Sequence, residues 1–230
     1  MKNAVLFWVI LFCINNNVNA QNLKVVSSKK EYNKSLDSSV NNEMVDLKKL
    51  LPNIVLDLRY NTANNFMQTK LYKKANTTYL RKLPAEALLQ GQKILAAKGL
   101  GFKIFDAYRP YSVTKKMWDL IHDDRYVANP AGGSGHNRGT SVDLTIINLK
   151  TGIALDMGTA FDNFTDSAHH IFTQKLPLQI IENRNLLENV MKQIGFRRLE
   201  TEWWHYSWIC KEPYAVLDFD FKTIRKLSKN

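Results

Sequence analysis

A charged residue stands inside a short β-rich run of the chain, and its position restricts how that run can be buried. Asp143 lies between Val142 and Leu144, so a strand over residues 142–147 would hold a carboxylate among apolar side chains. An unpaired carboxylate in an apolar interior is costly, so this residue requires a partner. A metal ion is one partner that would satisfy it.

A histidine lies seven positions before this aspartate. His136 is preceded by Gly135, and Gly139 lies between the histidine and the aspartate. Because glycine adopts backbone conformations that other residues avoid, Gly139 allows the chain to turn there. We therefore expect His136 and Asp143 to meet at one point.

A second acidic and imidazole pair occurs in the aromatic run Glu202-Trp203-Trp204-His205-Tyr206. Residues three apart on a regular strand face opposite sides, so Glu202 and His205 share a site only if the strand twists or bends. Two histidines and one carboxylate that leave a position open form a known catalytic zinc ligand set, with bonds of about 2.0–2.2 Å. A further carboxylate, Glu202, suits the transfer of a proton from the attacking water to the leaving amine.

Each of these residues has a simpler interpretation when it is taken alone. A lone histidine is usually a surface or hydrogen-bonded residue, and Trp203 and Trp204 are typical of a core. His169 and His170 lie in a polar loop, where we expect at most a supporting role. The order and spacing of the whole set favour a metal site.

The remaining patterns predict a mixed fold of helices and strands. Alternating apolar residues predict a strand over 53–60, and Pro84 and Gly99 bound a predicted helix over 85–97. The other predicted elements are a strand over 102–108, a helix from an N-cap at Ser112 to about His122, a helix over 178–194, and strands over 196–199 and 203–208. Because these elements lack a steady β-α-β alternation, we expect a single α+β domain with a central antiparallel sheet flanked by helices.

The amino-terminal residues are typical of an export signal. Lys2, an apolar run over 4–14 and the small residue Ala20 predict a signal peptide over residues 1–20. A single membrane anchor is the alternative, although the run is shorter than the about 20 residues that span a bilayer. We expect a flexible leader over 21–42, a catalytic domain over 43–230, and a periplasmic or secreted protein with no stable membrane insertion once the signal is removed.

Cysteine content and charge exclude two other classes of protein. Without residues 1–20 only Cys210 remains, so no internal disulfide can form, and its apolar neighbours predict a buried thiol. The net charge of +11 comes from lysines and arginines that are scattered along the chain. They form no stripe with interleaved aromatic residues, so we expect no nucleic-acid partner.

At this point the sequence resembles the zinc D-alanyl-D-alanine dipeptidases related to the vancomycin-resistance dipeptidase. The matching blocks are Leu58-Arg59-Tyr60, Asn64-Asn65-Phe66, Asp106-Ala107-Tyr108-Arg109-Pro110, Ser134-x-His136-x-Arg138-Gly139-x-x-x-Asp143-Leu144-Thr145, Met157-Gly158-x-x-Phe161-Asp162, Ser167-x-His169-His170, Glu202-Trp203-Trp204-His205-Tyr206 and Glu212-Pro213-Tyr214. The resemblance implies a fold of the zinc D,D-peptidase (hedgehog-like) type and hydrolysis of a small peptide, D-alanyl-D-alanine, derived from peptidoglycan.

The resemblance also implies a role for individual residues. It assigns one Zn2+ per chain to His136, Asp143 and His205, the catalytic base to Glu202, and stabilisation of the oxyanion to Arg109. The residues that hold the charged ends of the dipeptide are then Tyr60, Ser134 and Asp162.

Two departures from the family keep other interpretations open. The stretch between Arg109 and His136 is shorter than in the resistance enzyme, and the predicted export signal favours salvage of released dipeptide over resistance. A D,D- or L,D-carboxypeptidase that trims longer wall peptides is the nearest alternative. A non-catalytic, zinc-containing wall-binding module is another, and the sequence gives no oligomeric state.

Overall fold

The computed structural model describes residues 23–51, 53–211 and 214–228. The predicted signal peptide, residues 1–20, lies outside the described residues. The strands are β1 Val25–Val26, β2 Met44–Asp46, β3 Val55–Leu56, β4 Tyr79–Arg81, β5 Leu100–Asp106, β6 Ser141–Asn148, β7 Phe196–Leu199, β8 Glu202–Trp208 and β9 Val216–Leu217. The helices are α1 Lys29–Ser38, α2 Leu47–Leu50, α3 Lys82–Ala96, α4 Tyr111–Leu120, α5 Gly135–Arg138, α6 Leu178–Gln193 and α7 Phe221–Leu227.

The central sheet has five strands in the order β3-β5-β6-β8-β7. The pairs β5–β6, β6–β8 and β7–β8 are antiparallel, whereas β3 pairs with β5 in parallel. The α+β fold is confirmed, but the sheet is mixed and not purely antiparallel. The chain runs from β3 to β5 through α3, and such a crossover returns the chain in the same direction.

Helices cover the sheet, with α3 against β5 and α6 against β7. Both long helices form within a few residues of the predicted bounds. The predicted N-cap of α4 is wrong, since the helix begins at Tyr111 and Ser112 lies inside it. The amide and hydroxyl of Ser112 instead donate hydrogen bonds to Asp218, a residue too distant in sequence to be recognised as its partner.

The described part of the predicted flexible leader is ordered, which corrects the expectation for residues 21–42. β1 pairs with β9 in parallel, with Val25 opposite Val216. Tyr32 of α1 is completely buried, and its hydroxyl accepts a hydrogen bond from the amide of Met44 at 2.9 Å. Tyr32, together with the partly buried Leu36, therefore anchors a helix whose composition is mostly polar.

Two irregular strand pairs bring side chains to one face of the sheet. In β5, Ile104 pairs with Leu144 and Asp106 with Asp143, so Phe105 is an extra residue. Side chains alternate along a regular strand, and the bulge turns Asp106 to the face of Asp143 instead of the face of Ile104.

The second irregularity lies between β7 and β8. Leu199 pairs with Glu202, and the preceding Arg198 pairs with Tyr206, so residues 203–205 have no counterpart on β7. This bend is the one that the sequence required if Glu202 and His205 were to share a site.

Candidate metal centre

Three side chains from α5, β6 and β8 converge on one point. Nε2 of His136 lies 3.2 Å from Nδ1 of His205 and 3.4 Å from Oδ1 of Asp143. The same Oδ1 lies 2.9 Å from Nδ1 of His205. Ligands at about 2.1 Å around a tetrahedral zinc ion are about 3.4 Å apart, so these spacings fit that ion.

Short-range structure fixes where each of the three residues lies. Ser134 and Asn137 form a capping box at the one-turn helix α5, which holds His136. Gly139 then adopts a left-handed conformation, with φ of 71°, and the chain reverses into β6. On that strand Asp143 lies directly opposite His205 of β8.

The donor chemistry of the site also fits a cation. Nδ1 of His136 lies 2.7 Å from the carbonyl oxygen of Ala107. A carbonyl can only accept, so Nδ1 carries a proton, and the tautomer with one proton presents a bare Nε2 to Asp143 and His205. Acceptor atoms that face one another in this way call for a positive charge between them.

Arg109 lies beside the three converging residues and is buried. Its Nε donates a hydrogen bond to Asp106 at 2.9 Å, and its guanidinium lies 3.7 Å from Asp143. Asp106 also accepts a hydrogen bond from the hydroxyl of Tyr72 at 2.6 Å. Although burial opposes the charge, the neighbouring carboxylate of Asp106 keeps the pKa of Arg109 high, so the guanidinium remains charged.

The sequence analysis did not assign a role to Asp106. It stands three residues before Arg109 in one of the matching blocks, and it is completely buried. The bulge in β5 that aims it at the site has no signature in the sequence.

Glu202 faces the same point from β8. Its Oε2 lies 3.9 Å from Nδ1 of His205, and the residue is only 5% exposed. Burial, together with the negative charges of Asp143 and Asp162, raises the pKa of Glu202 well above its ordinary value. A carboxyl group with a raised pKa can accept and return a proton near neutral pH.

Tyr60 and Asp162 contact each other across the site. The tyrosine hydroxyl donates to Oδ1 of Asp162 at 2.9 Å, and the amide of Phe66 donates to Oδ2 at 3.3 Å. Burial raises the pKa of Asp162 to about 7. The hydroxyl of Ser134 accepts a hydrogen bond from the amide of His136 at 3.2 Å.

All eight predicted site residues line one cavity of about 210 Å3. These residues are Tyr60, Arg109, Ser134, His136, Asp143, Asp162, Glu202 and His205. The same cavity is lined by Phe66, Tyr126 and Phe164, three aromatic residues for which no site role was predicted from the sequence. The rings of Tyr126 and Phe164 stack at 4.8 Å, and those of Phe66 and Phe164 lie 5.2 Å apart.

Other candidate residues lie outside this cavity. Nδ1 of His170 lies 3.7 Å from Glu188, the ring contacts Tyr206, and burial lowers the pKa of His170 to about 4. Cys210 is exposed, so the predicted buried thiol is wrong, because β8 ends two residues before it. Within the described residues, only His136, Asp143 and His205 group as possible metal ligands.

Comparisons with known proteins identify the family of the chain. The model of the peptidase M15 family, described as D-ala-D-ala dipeptidase, matches residues 40–224. The D-alanyl-D-alanine dipeptidase of Escherichia coli (strain K12) is 34% identical over 78% of this chain and 91% of its own length. That of Enterococcus faecalis (strain ATCC 700802 / V583) is 31% identical over 78% of this chain and 98% of its own. A weaker likeness, with TM-score 0.40 and 16% identity over 60% of this chain and 76% of the other, is to the solved structure of VanYB in complex with D-Ala-D-Ala.

Proposed function

Because the chain belongs to the D-ala-D-ala dipeptidase family, we propose that it hydrolyses free D-alanyl-D-alanine with one zinc ion per chain. The observation that carries this proposal is the convergence of three acceptor atoms, on His136, Asp143 and His205, in a cavity that Glu202 and Arg109 also line. A purely structural zinc site is usually closed by four protein ligands, whereas three leave a position open for chemistry. When bound, zinc supplies Lewis acidity towards the scissile carbonyl and towards water.

Glu202 acts as the general base and then as the general acid. Its carboxylate takes the proton of the attacking water and delivers it to the amine of the departing D-alanine. The raised pKa of Glu202 supports its role as a proton donor, and binding of a cation nearby would lower that pKa and favour the carboxylate that acts as the base. Burial keeps bulk water from competing for the proton.

Arg109 stabilises the negative charge that develops on the carbonyl oxygen. A guanidinium is always charged and presents a rigid fork of donors, which suits an oxyanion. Asp106 holds Nε, so the terminal nitrogens remain available to the substrate. The guanidinium also lies 5.0 Å from the ring centroid of Tyr60, which limits its movement.

Asp162, Tyr60 and Ser134 hold the ends of the dipeptide. An ionised Asp162 is suited to the substrate ammonium, and the Tyr60 hydroxyl fixes the orientation of its carboxylate. Ser134 lies beside α5, where its hydroxyl retains donor capacity for the substrate carboxylate.

The size of the cavity favours a dipeptide over a longer wall peptide. Pockets for drug-sized ligands measure about 300–1,000 Å3, and this cavity is smaller. The rings of Phe66 and Tyr126 both contact Phe164, and the amide of Phe66 donates to Asp162, so we infer that this aromatic cluster limits the length of the peptide.

The test compares free D-alanyl-D-alanine with a wall pentapeptide that ends in the same two residues, each with zinc-loaded protein. The dipeptide alone should be hydrolysed. Preference for the pentapeptide would identify a carboxypeptidase, and hydrolysis of neither would favour a wall-binding module.

We also propose that the protein is exported and salvages dipeptide released from the cell wall. The pattern of residues 1–20 supports a cleaved signal. None of the helices in the described part of the chain has both the length and the apolar composition that crossing a bilayer requires. Amino-terminal sequencing of the mature protein tests the proposal, and a start near residue 21 is expected. An uncleaved protein in the cytoplasmic fraction would contradict it.

A further inference from the structure

The two histidines of the metal centre present different nitrogens to it. His136 uses Nε2 and His205 uses Nδ1, as the distances between the converging atoms show. A neutral imidazole carries one proton, so each ring must hold that proton on its other nitrogen if both are to bind a metal. The group that accepts a hydrogen bond from this second nitrogen therefore decides whether the histidine can bind the metal.

For His136 the acceptor is the backbone carbonyl of Ala107, which cannot act as a donor. For His205 the partner is a side chain. Its Nε2 lies 3.1 Å from Oγ of Ser207, and Oγ of Ser207 lies 2.8 Å from Oγ of Ser141. A hydroxyl can donate or accept, so this side of the site is not fixed by the backbone.

Asp143 competes for the same proton. Its Oδ1 lies 2.9 Å from Nδ1 of His205, which is hydrogen-bond distance. If Nδ1 carried the proton, that bond would form and the metal-binding nitrogen would be blocked. An acceptor at Nε2 opposes this arrangement, and Ser207 acts as one when its own hydroxyl donates to Ser141.

The serine pair is held tightly within the sheet. Ser141 is completely buried and lies directly opposite Ser207 in the β6–β8 register, two pairs along from Asp143 and His205. A Cβ on Gly135 would lie 1.9 Å from Oγ of Ser141, so only glycine leaves room for this hydroxyl beside α5. Gly135, the residue before His136, thus leaves the space that the Ser141 hydroxyl occupies.

We propose that Ser207, oriented by Ser141, is a positioning residue that holds the proton of His205 on Nε2 and so keeps Nδ1 free for the metal. The proposal rests on the metal site of the proposed function. Groups that orient metal-binding histidines commonly change metal affinity by about 10–100-fold when they are removed.

The test is the zinc dissociation constant of the substrate-free protein, measured by competition with a chromophoric chelator. Ser207→Ala should weaken zinc binding by about 10–100-fold. Ser207→Thr keeps a hydroxyl and should bind zinc as the wild type does. Ser141→Ala should weaken binding less than Ser207→Ala, because it removes only the partner that orients Ser207.

Ser38→Ala is the matched control, since Ser38 is exposed on α1 and its hydroxyl bonds only the carbonyl of Ser35. The melting temperature of each metal-free variant separates lost affinity from lost folding. Wild-type affinity in folded Ser207→Ala, or an equal loss in Ser207→Thr, would overturn the proposal. Failure of the wild type to bind zinc would instead overturn the proposed function, so the two outcomes are distinguishable.

Discussion

Oδ2 of Asp106 accepts a hydrogen bond from Nε of Arg109 at 2.9 Å, and both side chains are shielded from solvent. The bulge in β5 brings the carboxylate to this position. Because the pair is buried, each partner depends on the other to offset the cost of leaving water. Arg109, the residue proposed to stabilise the oxyanion, is thus held by a carboxylate that does not line the cavity.

Replacing Asp106 by Asn should therefore destabilise the protein strongly. Breaking a buried ion pair by removing one partner costs about 3–5 kcal/mol. The measurement is the free energy of unfolding in urea. Asp123→Asn is the control, because Asp123 pairs with Arg125 at an exposed position. An equal, small effect of both substitutions would contradict the structural role of Asp106.

Glu202→Gln should abolish most turnover without releasing the metal. Loss of a positioned general acid–base typically lowers turnover by about 10²–10⁴-fold. The turnover number and the bound zinc are measured on the same sample. Glu200→Gln is the control two positions away, since Glu200 is exposed and pairs with Arg198. Near-wild-type turnover in Glu202→Gln would rule out its assignment as the base.

His205→Ala should remove the stabilisation that zinc gives to the folded chain. A ligand that binds only the native state adds about 2.7 kcal/mol at a concentration 100 times its dissociation constant. Zinc should therefore raise the melting temperature of the wild type and of His122→Ala, in which an exposed histidine is lost. A zinc-dependent rise in His205→Ala that matches the wild type would place the metal elsewhere.

Asp162→Asn should change how stability depends on pH in the metal-free protein. The folded pKa of Asp162 is about 7 against an ordinary 3.8, so the native state holds the proton more tightly than the unfolded chain. Its contribution to stability is fully present below about pH 4 and is lost as the pH rises to 7, a change of up to about 4 kcal/mol.

Urea unfolding of the chelator-treated wild type and of Asp162→Asn between pH 4 and 8 measures this difference. The wild type should lose stability relative to the variant as the pH rises, and the difference should level off above pH 7. Parallel pH curves would show that Asp162 titrates normally in the folded protein.

Phe164→Ala should relax the preference for a dipeptide. Phe164 contacts both Phe66 and Tyr126, so the substitution removes the central ring of this aromatic cluster and enlarges the cavity. The ratio of kcat/KM for a D-alanine tripeptide to that for the dipeptide should rise. An unchanged ratio in a folded variant would mean that another part of the cavity limits substrate length.

Much of the fold follows from local sequence signals. Proline at the start of α3 and glycine just after α6 mark ends that short-range chemistry determines. The parallel pairing of β3 with β5 was not predictable, because a two-residue strand carries no information about its direction. The formation of α1 was not predicted for a similar reason, since only Tyr32 and Leu36 of this mostly polar helix contact the core.

The residues of the candidate site were easier to predict than their geometry. A charge among apolar residues at Asp143, and the acidic and imidazole pair at Glu202 and His205, are visible in the sequence. The two strand irregularities that orient the side chains of the site are not visible in the sequence, because strand register depends on partners that are distant in the chain. No role was predicted for Asp106, Ser141 or Ser207, because aspartate and serine are common residues in any strand-rich protein.

The pairing of β1 with β9 can form only after nearly all of the chain has been synthesised. Val25 finds its partner only when Val216 has been made, so a growing chain carries its first strand unpaired for most of translation. Contacts between residues so far apart slow folding, since a long loop must close before they form. On the export proposed above, this late pairing keeps the two ends of the domain apart for longer, which suits delivery across a membrane in an extended state.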